Sequence, residues 1–141
     1  MAFWKHNHTP VDYLASVGFF TGFGAEELQR VARLGKESEV ASGIMLMDQG
    51  DVGQVCYVIV EGAASVFVAG EHVATLTAGA MVGEMALVDH RPRRATVLAE
   101  TNMKLLGFDA VRFRQLLDEM PKARDGVLAL LASRLKPGLQ E

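Results

Sequence analysis

Cysteine is nearly missing: Cys56 is the single one in 141 residues. No disulfide can form within the chain, so the fold must rest on its hydrophobic core. A chain of this length buries roughly two-thirds of the surface its unfolded form exposes and needs no covalent staple. Cys56 lies in the apolar run Val55-Cys56-Tyr57-Val58-Ile59-Val60. That context predicts a reduced core thiol rather than a reactive or metal-bound one. Excess charge is missing too, since the formal net charge is −3. A nucleic-acid binder presents a net basic face, so none is expected as a partner. Long apolar runs are absent, and every stretch falls short of the roughly 20 residues of a spanning helix. No membrane partner is therefore expected. The opening MAFWKHNHTP holds no apolar segment of signal-peptide type, and the expected location is cytoplasmic. Histidine is sparse and scattered, at His6, His8, His72 and His90. A metalloenzyme on a β-roll would need several of them converging on one ion, so no metal site is predicted. No Ser-His-Asp or Cys-His arrangement stands out, and no catalytic role is expected. Trp4 is read as an anchor before the first helix.

What is present suits a single domain over 1–141. Thr9-Pro10-Val11-Asp12 reads as a helix start, with a cap, a proline at the first helical position and an acid to reach back. This helix is predicted to end near Gly18, with Phe19, Phe20 and Phe23 as anchors behind it. A second helix starts at Gly24-Ala25-Glu26-Glu27, carries Leu28, Val31 and Ala32 on one face, and stops at Gly35.

From Glu39 the texture changes. Short apolar segments alternate with breaks at Gly43, Gly50-Asp51, Gly53, Gly62, Gly70, Gly79 and Gly83. This spacing predicts an antiparallel sandwich or barrel. The expected strands are Ile44–Met47, Val55–Val60, Ala64–Val68, Val73–Leu76, Arg94–Ala99 and Met103–Phe108. After Asp109, a good N-cap, Phe113, Leu116, Leu117 and Met120 form one helical stripe that Pro121 breaks. A last helix carries Val127, Leu130, Leu131 and Leu135 and stops before Pro137. The expected architecture is mostly β with flanking helices: helices over 9–38, an antiparallel β-roll over 39–108, and helices over 109–136.

One helical turn, Glu84–Val88, is lodged inside the β series, within VGEMALVDHRPRRATV. Gly83 opens it without a side chain. The first N–H groups of such a turn lack intrahelical partners and suit an anion, a phosphate in particular. Arg93 follows a loop stiffened by Pro92, and a guanidinium can fork onto two phosphate oxygens. Glu84 cannot contact a phosphate but can accept from a sugar hydroxyl. Amides and arginine for phosphate with a carboxylate for ribose outline a nucleotide pocket. Read as residues alone, the same stretch also fits an ordinary acidic helix start beside a solvated run of Arg91, Arg93 and Arg94.

The stretch resembles the phosphate-binding cassette of the cyclic nucleotide-binding domain family. That pattern is close to F-G-E-(L/I/M)-A-L, a short loop, then P-R-x-A-T-V. It stands here as Val82-Gly83-Glu84-Met85-Ala86-Leu87 and Pro92-Arg93-Arg94-Ala95-Thr96-Val97. Gly43-Ile44, Gln49-Gly50-Asp51, Tyr57-Val58-Ile59-Val60-Glu61-Gly62 and Gly79 are similar to further family motifs in the same order, as are Phe19-Phe20 and Glu26-Glu27-Leu28 near the start. The resemblance implies a β-roll with an internal cassette helix. It implies that Arg93 pairs with the exocyclic oxygens of a cyclic phosphate and that Glu84 holds the ribose 2′-hydroxyl. Gly83 and the amides of Met85, Ala86 and Leu87 would cradle phosphate and sugar, and Ala95 would let the strand approach closely.

Arg94 stands where relatives carry a small residue, or a Thr or Ser that touches the purine. It leaves the base open between cAMP, which the lack of that Thr favours, and cGMP. Val82 replaces the usual aromatic. The implied function is that of a non-enzymatic regulatory module that signals by moving its flanking helices to an effector protein or fused domain. The alternative is a degenerate relative that binds no nucleotide and serves as a protein-interaction module. The tail Val127–Leu139 would close over the base or pair with a second copy of the chain, with Arg134 as a candidate base contact. No helix-turn-helix, kinase or channel segment is present, so the chain is expected to be a stand-alone receptor or part of a larger protein.

Overall fold

The structure is a computed structural model that describes residues 10–52, 55–84, 87 and 92–133. The predicted Thr9 cap, Trp4, His6, His8, Gly53, His90, Arg91 and Arg134 lie outside these residues, as do Met85, Ala86 and Val88 of the cassette.

Helix α1 (Pro10–Ala15) is followed by a 3-10 turn at Gly18–Phe20 and helix α2 (Ala25–Leu34). Among the described residues eight strands follow: β1 (Lys36–Val40), β2 (Met45–Met47), β3 (Val55–Glu61), β4 (Ala64–Val68), β5 (Glu71–Leu76), β6 (Met81–Val82), β7 (Thr96–Ala99) and β8 (Met103–Asp109). Helices α3 (Ala110–Glu119) and α4 (Pro121–Ser133) close the described chain. The strands form two four-stranded antiparallel sheets, in the orders β1-β8-β3-β6 and β2-β7-β4-β5. The mostly-β roll with flanking helices is thus as expected.

The bounds differ in detail from the sequence reading. The sheet region begins at Lys36 rather than 39, because β1, Lys-Glu-Ser-Glu-Val, is a polar edge strand paired to β8 alone. The two-residue β6 is too short to show a pattern of its own. The expected strand Val73–Leu76 starts at Glu71, and the expected strand Arg94–Ala99 starts at Thr96, after a bend at Arg94 and Ala95. Helix α1 stops at Ala15, and the separate 3-10 turn carries the chain past Gly18.

Strand β3 sits between two cores. Cys56, Val58 and Val60 face the helices, where they join Leu14, Val17, Phe20, Val31, Phe113 and Leu116. Ile59 faces the second sheet, with Val66, Val97, Met103 and Leu105. Burial on both faces explains why the strand reads as a continuous apolar run rather than an alternation. Strand β8 is divided in the same way, Leu106 and Phe108 toward the helices and Leu105 and Met103 toward the sandwich. Gly35 lets α2 turn directly into β1, since a Cβ there would lie 2.5 Å from the Leu106 side chain.

The helices assemble on one outer face. Glu27 accepts from the Gly24 N–H at 2.8 Å and starts α2, and Asp109 accepts from the Arg112 N–H at 2.8 Å and starts α3. Phe20 is buried among Phe19 and Phe23, with ring centroids 5.3 Å apart in each pair. Phe19 reaches Phe113 of α3 at 6.0 Å. Two ion pairs join the N- and C-terminal helices, Arg30 to Glu119 at 2.7 Å and Lys122 to Glu27 at 2.8 Å.

Of the predicted breaks, Gly43, Gly50, Gly62, Gly70, Gly79 and Gly83 all take positive φ. The β4–β5 hairpin turns through Ala69 and Gly70, both at positive φ, with Val68 opposite Glu71. This is the mirror-type turn that matches the twist of a hairpin.

Candidate functional site

The site is assembled where the Asp48–Asp51 turn, the start of β3 and the cassette meet. Strand β6 ends at Val82, which is buried in the sandwich core, and delivers Gly83. Glu84 and Leu87 are helical and lie between β6 and β7. Glu84 and Arg93 are 7% and 8% exposed, and with Ser65 they are the buried polar residues among those described. Burying charge is costly unless it is paired. Arg93 meets that cost through backbone: Nη1 donates to the Gly83 carbonyl at 2.8 Å, and Nη2 donates to the Val55 carbonyl. Burial pulls the Arg93 pKa below its usual range; Cys56, Tyr57, Glu84 and Asp51 oppose that fall.

Gly83 has a different reason to be glycine from the one the sequence suggests. Its φ is +86°, and a Cβ would lie 2.4 Å from Arg93 Nη1 and 2.8 Å from Met47 Cε. The missing side chain is the seat of the arginine. Beside it lies a hollow of about 190 Å³ lined by Leu46, Met47, Asp48, Asp51, Val52, Val55, Tyr57 and Arg93.

Ala95 is 5% exposed and belongs to the sandwich core. Arg94 is half-buried, and its Nη1 is closed off from solvent without a hydrogen-bond partner. Leu87 is half-buried against the helical core. Cys56 is fully buried, as its context predicts, and burial first, then the nearby Glu84 carboxylate, pushes its thiol pKa far up. Sequence reasoning did not find the Val55 carbonyl or Met47. A backbone acceptor leaves no mark in sequence, and a methionine in an apolar strand reads as core. No group of three or more metal-ligating side chains occurs among the described residues.

Residues 37–120 match the sequence model of the cyclic nucleotide-binding domain. The chain belongs to the cyclic nucleotide-binding domain family. It is 34% identical over 114 residues to a cyclic nucleotide-gated potassium channel of Rhizobium etli, covering 81% of this chain and 32% of the channel. It is 34% identical over 107 residues to the cAMP-dependent protein kinase type II regulatory subunit of Drosophila melanogaster, covering 76% of this chain and 28% of that protein. The chain thus spans about a third of the length of these relatives. The crystal structure of Thermus thermophilus catabolite activator protein superposes with a TM-score of 0.77 at 28% identity, covering 84% of this chain and 58% of that one.

Within this cyclic nucleotide-binding domain, Leu87 of the cassette packs against the helical core. A largely apolar groove of about 400 Å³ is lined by Leu87, Ala110, Val111, Phe113, Arg114, Leu117 and Val127. Leu87, on the segment carrying Gly83 and Glu84, thus shares this groove with residues of α3 and α4. Of the expected tail, Val127 is packed on the helical core, and α4 also rests on the 3-10 turn, where a Cβ on Gly126 would lie 3.1 Å from the Phe19 ring. No helix among the described residues is long and apolar enough to cross a membrane.

Proposed function

We propose that this chain is a single, non-enzymatic regulatory domain that binds a cyclic purine mononucleotide, cAMP, and signals by moving α3 and α4. The observation that carries the reading is the buried Arg93. Its guanidinium is held against the Gly83 carbonyl at the mouth of the cassette, with the Glu84 carboxylate buried nearby. A guanidinium using two donors on carbonyls keeps further N–H groups for an anion. An anionic phosphate would offset the desolvation that burial imposes on the cation. Glu84 then supplies the acceptor for a ribose hydroxyl, with the cassette amides of 85–87 on phosphate and sugar. Ala95 is small beside them, and Arg94 faces the choice of base. The choice of cAMP over cGMP follows the kinase regulatory relative, whose name carries cAMP.

Signal transfer rests on Leu87. A ligand that draws the cassette toward its phosphate moves this side chain in the groove it shares with Phe113, Leu117 and Val127. The effector is a fused domain or a partner protein that reads the helices.

Thermal unfolding with cAMP, cGMP and AMP tests this. Ligand at a hundred times its dissociation constant adds about 2.7 kcal/mol to stability. The expected result is a rise with cAMP that is largely lost in Arg93→Ala. No shift with either cyclic nucleotide at millimolar concentration overturns the reading and favours an interaction module instead.

A further inference from the structure

The geometry points to Thr96, Asp48 and Gln49 as positioning residues that fix Arg93 for its ligand through the Asp48–Asp51 turn. This rests on the nucleotide reading above. The turn grips the arginine segment at two places. At the first, the Gly50 N–H donates to the Arg93 carbonyl at 2.9 Å, and the Arg93 N–H donates to the Asp51 carbonyl at 2.7 Å. At the second, the Gln49 N–H donates to Thr96 Oγ1 at 3.0 Å, and the same hydroxyl donates to Asp48 Oδ1 at 2.8 Å. Between the two places the backbone bends at Arg94 and Ala95. A bent segment held at one end alone can pivot; held at both ends it cannot. The Gln49 side chain adds a third tie by accepting from the Ala69 N–H at 2.9 Å, which fastens the turn to the β4–β5 hairpin.

The chemistry explains the residue type. A hydroxyl donates and accepts at once. Valine has the same shape and does neither. Arg93 carries its charge on a long side chain, so a small rotation of its backbone displaces the guanidinium at the far end, and such a displacement weakens a geometry-dependent contact. Thr96, Asp48 and Gln49 need not touch the ligand for this to act.

Calorimetric titration of the full chain with cAMP tests the inference, alongside its two phosphorothioate diastereomers. In each diastereomer sulfur replaces one exocyclic oxygen, so their affinity ratio reports where the guanidinium sits. Thr96→Val is expected to weaken cAMP binding roughly three- to tenfold, the equivalent of one net hydrogen bond, and to shrink the diastereomer ratio. Thr96→Ser is expected to restore both. Asp48→Ala, at an exposed position, repeats the loss in milder form and serves if Thr96→Val fails to fold. Unchanged affinity in both variants overturns the inference. So does an equal loss for both diastereomers, which marks general destabilisation. Wild-type protein that binds no cyclic nucleotide overturns instead the reading on which it rests.

Discussion

Gly83→Ala separates the two demands made on this glycine. The first is conformational: φ is +86°, and a non-glycine residue held in that region costs about 1–2 kcal/mol. The second is steric, because the new Cβ would lie 2.4 Å from Arg93 Nη1 and 2.8 Å from Met47 Cε. Both atoms end flexible side chains, so the fold survives by moving them. Arg93 then gives up its bond to the Gly83 carbonyl, a charge-assisted contact of about 1.5–3 kcal/mol. The two terms sum to a stability loss of about 2.5–5 kcal/mol. Gly70→Ala is the control. Its φ is +81°, and a Cβ there meets nothing within 4 Å. Conformational cost alone remains, about 1–2 kcal/mol. Urea unfolding gives the stabilities, and calorimetry with cAMP gives the affinities. Gly70→Ala should bind as the wild type does. Gly83→Ala should lose roughly tenfold or more, because the arginine is no longer seated. Equal stability losses with equal affinities in the two variants would refute the argument that Gly83 exists to seat Arg93.

Three further outcomes are expected. Cys56, fully buried and with its thiol pKa pushed up by burial, should resist an aromatic disulfide reagent in native protein and react on unfolding in urea; equal rates in both states contradict its placement. Ala69→Asn should stabilise the hairpin by about 0.5–1 kcal/mol, since Ala69 sits at φ +51° before Gly70 and asparagine tolerates that region; urea unfolding reads it, and a loss of stability counts against the turn assignment. Glu27 and Glu119 are both held below the ordinary value of 4.5, the first by the Gly24 N–H and then Lys122, the second by Gln115 and then Arg30. Lowered folded values mean that the unfolded chain takes up protons first, so their stabilisation is present above the ordinary value and lost as pH falls through the folded ones. The drop in Tm between about pH 6 and pH 3 should therefore be shallower in Glu27→Gln/Glu119→Gln than in the wild type, and an unchanged drop rejects the assignment.

The β-roll was legible because its punctuation is conformational. Gly43, Gly50, Gly62, Gly70, Gly79 and Gly83 each mark a reversal at positive φ, and this requirement is visible in residue type. Strand β1 was hidden because an edge strand carries charge, and Lys-Glu-Ser-Glu-Val reads as a continuation of the helix surface. Strand β3 was found, but its two-sided burial hid which residues face which core.

The site divides in the same way. Gly83 and Arg93 are expected for a phosphate and Glu84 for a sugar hydroxyl, and the structure brings these three residues together at the cassette. What holds Arg93 did not follow, because its partners are carbonyls of Gly83 and Val55, the latter 38 residues away in sequence. Thr96 has no role legible in the sequence, because its hydroxyl lies between Gln49 and Asp48, 47 and 48 residues away.

These contacts bear on how binding could be read by a partner. A ligand shifts an equilibrium by its differential affinity for two states, and moving a helix pair from 1:99 to 99:1 takes about 5.5 kcal/mol. The helical face is closed by an apolar core and two ion pairs, Arg30–Glu119 and Lys122–Glu27. Exposed pairs are screened by solvent and contribute little, so they do not lock the helices against a nucleotide of ordinary affinity. The packing of Leu87 on the helical core, beside the groove it lines with Phe113, Leu117 and Val127, is the larger opposing factor. A half-buried leucine contributes less than the about 1.5–3 kcal/mol of a fully buried one. On the proposed reading, the cassette therefore commands the helices through Leu87 more than through charge. Truncating that side chain should uncouple the helices while leaving Arg93 and its ligand in place.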